Sequence, residues 1–146
     1  MAEQAIQAAE HQQAMPKHGE FCWNELATNN LDVCKNFYGE LFGWKFKENI
    51  PSADGEVAGG MIYNELSIDG QKQFGGMYQM PKECSEKMPP HWMSYIAVDD
   101  VDETVQKVWQ LGGRVCVPPT DIPNTGRFAV VNDPSGATFS LITLKR

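Results

Sequence analysis

Two stretches of this 146-residue chain, 70 positions apart, carry the same succession of local signals, and that repeat restricts the fold more than composition does. In the first, "FCWNELAT" (21–28) alternates like a strand, with Phe21, Trp23 and Glu25 on one face and Cys22, Asn24 and Leu26 on the other. "NNLDVCKNFYGELFG" then predicts a helix. Asn30 serves as N-cap, Asp32 lies in the first turn, Leu31, Cys34, Tyr38 and Leu41 recur at helical spacing, and Gly43 is the stop. "WKFKENI", "GGMIYNELSID" and "KQFGGMYQM" read as three strands, the last two joined by Asp69-Gly70, a dipeptide suited to a type I′ hairpin.

The second stretch repeats this order with strand "HWMSYIAV", helix "DDVDETVQKVWQLGG", and strands near "RVCVP", "RFAVVN" and "ATFSLIT". The offset pairs Asp32 with Asp102, Cys34 with Thr104, Tyr38 with Val108, Leu41 with Leu111 and Gly43 with Gly113. Carried back one strand, it pairs Trp23 with Met93 and Glu25 with Tyr95, which places these four on matching faces. The fold class is α+β: two βαβββ modules, 18–80 and 90–146, joined by a linker at 81–89 and preceded by a tail at 1–17. Their curved mixed sheets are expected to curl into an incomplete barrel with the helices outside. In the last strand, after the Asp133-Pro134-Ser135-Gly136 turn, Ala137, Phe139 and Leu141 form the more apolar face, expected under a helix. Thr138, Ser140 and Ile142 share the other face.

A formal charge of -7 repels a phosphate backbone, which argues against nucleic acid as a partner. No apolar run approaches the roughly 18 residues of a membrane span, and the first residues lack the basic and apolar regions of a secretion signal, so a cytoplasmic location is expected. Cys22, Cys34, Cys84 and Cys116 match neither zinc-finger nor CxxC spacing and read as small apolar residues, with only Cys84 in a polar, exposed context. There is no GxSxG elbow, Walker loop, GxGxxG after a strand, or HExxH.

"ELATNNLDVCKNFYGELFGWKF", "YIAVDDVDETVQKVWQLGGRV" and "NDPSGATFSLI" together resemble the vicinal oxygen chelate superfamily, the glyoxalase, bleomycin-resistance and extradiol-dioxygenase group, over residues 18–144. In its metal-dependent members the resemblance implies His, Gln or Glu ligands from the first and last strand of each module. Those positions fall here on Trp23, on Gly76, Met77 or Tyr78, on Met93, and on Ser140. None carries a usual donor for a divalent ion. No metal and no cofactor are therefore expected.

The cup lining expected on this basis is Trp23, Met77, Tyr78, Met93 and Tyr95, with Ser140 beside them, a set suited to a flat or partly apolar small molecule. Glu25, two positions past Trp23, points into the same cup, where desolvation raises a carboxyl pKa. His91 shares the face of Met93, Glu65 is the next oxygen donor, and Arg127 reads as a solvated strand end. The expected function is binding of a small organic molecule in an apolar cup without metal. The alternative is an enzyme, either a metal-dependent lyase or dioxygenase or a metal-free catalyst using Glu25 with Tyr95 or His91 as acid and base. A scaffold with the cup filled by its own side chains is a third reading. The linker segment "PKECSEKMPP" spans roughly 30 Å when extended, so the modules can pair within one chain or across two, and a homodimer is expected.

Overall fold

The computed structural model describes residues 15–49, 63–69, 71–82 and 87–145. Within them run β1 (Phe21–Thr28), α1 (Leu31–Phe42), β2 (Trp44–Asn49), β3 (Tyr63–Ile68), β4 (Gly75–Gln79), β5 (His91–Ala97), α2 (Val101–Gln110), β6 (Arg114–Ile122), β7 (Gly126–Asn132) and β8 (Thr138–Leu144). The βαβββ order occurs twice. Residues 1–14 of the expected tail, the start of the "GGMIYNELSID" strand, Gly70 and Cys84 lie outside the described residues.

The helices begin where the caps dictate. The Asn30 side chain accepts from Val33 N–H at 3.3 Å and Asp100 from Glu103 N–H at 3.1 Å, each satisfying a donor that has no partner inside the helix. Gly43 takes a left-handed conformation (φ 73°) and closes α1 by donating to the Gly39 carbonyl. α2 ends at Gln110, two residues earlier than the offset implies, and its left-handed residue comes one position earlier. Gly112, not Gly113, adopts the positive φ (92°), while Gly113 N–H bonds the Val108 carbonyl at 2.8 Å, the pattern of a Schellman motif.

Among the described residues the strands form one open, mixed sheet in the order β2-β3-β4-β1-β5-β8-β7-β6. β1 runs parallel to β4, β5 runs parallel to β8, and the two halves meet where β1 and β5 pair antiparallel within the chain. At that seam Trp23 stands opposite Tyr95 and Glu25 opposite Met93, so residues equivalent by the repeat exchange partners as a local twofold requires. Two edge features depart from expectation. β6 continues through Pro118 and Pro119 to Ile122, with irregular register after Val115 and Val117; prolines are tolerated because this strand has a neighbour on one side only. Cys116, on the same edge, is exposed and contacts Asn132 Oδ1 at 3.2 Å, so it does not behave as a buried apolar residue.

Each helix covers its own half of one sheet face. Val101 and Val105 of α2 pack on Ala129, Val131 and Leu141, with Phe139 against them. Leu31, Cys34 and Tyr38 of α1 pack over Leu26, Leu66 and Met77. Since side chains alternate along a strand, the neighbours of these core residues face the other way, into the cup.

Candidate functional site

Alternation and register bring Trp23 and Glu25 of β1, His91, Met93 and Tyr95 of β5, Gly76 and Tyr78 of β4, Tyr63 and Glu65 of β3, and Ser140 of β8 onto the concave face. Met77, expected in the lining, is on the opposite face, fully buried between Leu26 and Leu66 under α1. Its strand is apolar on both faces, so pattern alone does not tell which residue turns inward.

The floor of the cup is built around one carboxylate. Tyr95 donates its hydroxyl to Glu25 Oε2 at 2.8 Å, and the Tyr63 hydroxyl donates to the same carboxylate. Tyr63 oxygen in turn accepts from Trp23 Nε1 at 2.8 Å. The Tyr63 ring stacks on Tyr78, with centroids 6.4 Å apart and planes at 19°. Ser140 is fully buried beside the Tyr95 phenol, its hydroxyl making no hydrogen bond of good geometry. The His91 ring acts on Glu25 from a greater distance, and its Nδ1 lies 2.9 Å from the Pro89 carbonyl.

Tyr63 is not legible as a site residue in the sequence, because its strand supplies no ligand in the resemblance. A signal exists in its spacing, two positions before Glu65 on the same strand face. Its place is made by Gly76: a β-carbon at residue 76 would collide with the Tyr63 hydroxyl. The phenol thus occupies the space into which a fourth-strand ligand would project.

This donor set does not fit a divalent metal. Among the described residues no three His, Cys, Asp or Glu side chains come together. Of the four positions implied as ligands, residue 76 has no side chain, Trp23 offers only an N–H, Met93 a thioether and Ser140 a hydroxyl, whereas such ions require converging nitrogen or oxygen donors. Arg127 is engaged elsewhere, on Asp102 at 2.8 and 3.0 Å and on Asp121 at 3.1 Å.

Burial pushes the Glu25 carboxyl above the ordinary carboxylate range, and the hydrogen bonds from Tyr63 and Tyr95, with the field of His91, pull it part of the way back. Both phenols are shifted up, first by burial and then by the neighbouring carboxylate, so they remain protonated donors.

The glyoxalase/bleomycin resistance protein/dioxygenase superfamily model matches residues 20–141, and the chain belongs to that superfamily. It is 38% identical over 133 residues to the putative glyoxylase CFP32 of Mycobacterium bovis, covering 87% of this chain and 48% of that protein. It is 28% identical over 132 residues to the anthracycline biosynthesis protein DnrV of Streptomyces peucetius, covering 84% and 46%. The chain therefore spans about half the length of these two relatives. In fold it is similar to methylmalonyl-CoA epimerase from Mycobacterium tuberculosis, with a TM-score of 0.58 at 17% identity over 88% of this chain and 89% of that one. It is also similar to hypothetical protein BH1468 from Bacillus halodurans, with a TM-score of 0.63 at 14% identity over 88% and 96%.

The raised Glu25 pKa gives stability a sign. The folded protein holds this proton more tightly than the unfolded chain, so the contribution is fully present below about pH 4.3 and is lost as pH rises through the higher folded value. Melting temperatures of the wild type and Glu25→Gln, measured from about pH 4 to about pH 8, should therefore diverge, the wild type losing ground as pH rises. A constant difference would mean that Glu25 is solvated.

Proposed function

We propose that the chain binds a small organic molecule in the concave cup and does so without a metal ion. The observation that carries this reading is the Tyr63–Glu25–Tyr95 cluster, in which Tyr63 fills the place of a fourth-strand ligand and polar groups stand on a sheet face lined by Trp23 and Tyr78. The names of the two relatives, one a putative glyoxylase and one a protein of anthracycline biosynthesis, both concern small organic molecules and support it. Catalysis is the second reading. A partly buried carboxyl with a raised pKa is poised to take or give a proton, with Tyr95 already bonded to it and His91 nearby.

Protein purified without a histidine tag and dialysed should contain far less than one equivalent of nickel, zinc, iron or manganese. A thermal-shift screen of aromatic and cationic compounds should find stabilisers whose effect is lost in Trp23→Ala. Stoichiometric metal that switches on turnover would overturn the metal-free reading.

We also propose a homodimer that buries the outer side of α1. Phe37, Leu41 and Phe42 are 55%, 56% and 54% exposed around the Tyr38–Trp44 stack, and Trp92 adjoins them. Where α1 exposes Val33 and Phe37, the repeat puts Glu103 and Lys107 on α2, whose own exposed apolar residue, Trp109, lies in its last turn. Adjoining exposed apolar residues are what a subunit contact would use. Light scattering at micromolar concentration should report about twice the 16.3 kDa chain mass, and a monomer at all concentrations would refute the dimer.

A further inference from the structure

A carboxylate removed from water is ordinarily paired with a cation. Glu25 is not: among the described residues no Lys, Arg or His lies within ion-pair distance of it. What surrounds it instead is a set of donors arranged in sequence. Trp23 N–H donates to Tyr63, and Tyr63 donates to Glu25. On the other side the Ser140 hydroxyl, fully buried and without a partner, stands beside Tyr95, which also donates to Glu25. Two phenols therefore converge on one carboxylate, and one of them is itself held by the Trp23 N–H. Such a layout favours negative charge at its centre, whereas a carboxyl meant to stay neutral would need an acceptor for its own proton.

The walls add a second attraction of the same sign. Trp23, Tyr63, Tyr78 and Tyr95 are aromatic, and aromatic faces attract cations by their quadrupole. Past the seam, Ile142 of β8 and Phe128 and Val130 of β7 share the concave face by register, opposite the core residues Leu141, Ala129 and Val131. One end of the cup is anionic and aromatic, and the other is apolar. A small inorganic cation is poorly served here, since it needs several converging oxygen ligands and no three acidic, His or Cys side chains come together among the described residues.

From this juxtaposition of a partly buried carboxylate with no cation at ion-pair distance among the described residues, converging donors and aromatic walls, we infer that the cup binds an organic cation, an ammonium group carried on an apolar body, with Glu25 as its counter-charge. The inference rests on the small-molecule reading above and names the class of ligand. It has a proton linkage. Before the ligand arrives, burial favours the protonated carboxyl; the bound cation favours the ionised one, so binding expels a proton and tightens as pH rises until Glu25 is ionised in the free protein. The groups facing Glu25 are His91 and Tyr95 from β5, Tyr63 and Glu65 from β3, with Lys47 of β2 beside Glu65, and Tyr78 from β4. His91→Gln removes the imidazole whose field reaches Glu25 and isolates the Glu25 contribution.

The test is calorimetric titration with benzyltrimethylammonium and with neopentylbenzene, its uncharged isostere. The cation should bind about tenfold or more tighter than the isostere. On the acid side its affinity should rise by about tenfold per pH unit, as release of one proton demands, and His91→Gln should keep that slope. Glu25→Gln should lose the preference for the cation while still binding the isostere. Should that variant fail to fold, Tyr63→Phe provides the second arm: with one donor gone, the carboxylate is harder to ionise and the pH midpoint for cation binding moves up. Equal binding of both probes with no pH slope would overturn the cation inference and leave the small-molecule reading standing. Failure of both probes, and of every compound in the thermal-shift screen, would overturn the two together.

Discussion

The partly buried, desolvated carboxylate of Glu25 is the constraint to which the rest of the concave face answers. Taking such a group out of water costs several kcal/mol even after the surroundings relax, and a hydrogen bond to a charged group restores about 1.5–3 kcal/mol. Two phenols therefore offset much of the penalty but not all of it, which agrees with a carboxyl that keeps its proton above the ordinary range. Those phenols impose further requirements. Tyr63 needs the space over Gly76, Trp23 holds the Tyr63 oxygen, and Tyr78 stacks on its ring.

The duplicated frame explains why this cluster sits where it does. The seam between the halves joins two opening strands in antiparallel pairing, so inward positions from both modules meet across one line. In a metal-dependent relative that convergence would serve an ion. Here the equivalent positions are occupied by Trp23, Met93, Ser140 and a bare Gly76, and the point of convergence holds a carboxylate and its donors. The same symmetry sets the two helices in matching places while leaving their outer faces different at particular positions, with Val33 and Phe37 on α1 where α2 has Glu103 and Lys107.

Much of this frame is legible in the amino-acid sequence, and the reasons are local. Caps at Asn30 and Asp100, the stop at Gly43 and alternation along β1 are properties of short stretches, and the repeat lets one half check the other. From them follow the α+β frame and the inward direction of Trp23, Glu25, Met93 and Tyr95. What escapes depends on contacts between distant strands. Met77 and Gly76 lie in a run apolar on both faces, so only pairing with β1 and β3 decides which turns inward. Tyr63 matters because of a glycine on the neighbouring strand, a relation no single segment displays. The length of β6 escapes for a related reason: two prolines end an interior strand but not an edge one.

The central claim is that Tyr63 occupies the space of the missing residue-76 side chain and is held there to serve Glu25. A double-mutant cycle with Gly76→Ala and Tyr63→Ala, read by urea unfolding, tests it directly. In the otherwise unaltered chain Gly76→Ala should cost about 1–3 kcal/mol, because the new methyl group displaces a phenol held by two hydrogen bonds. In the Tyr63→Ala background the same change should cost only a small fraction of that. An equal cost in both backgrounds would mean that the phenol does not fill this space, and would contradict the account of the cup built upon it.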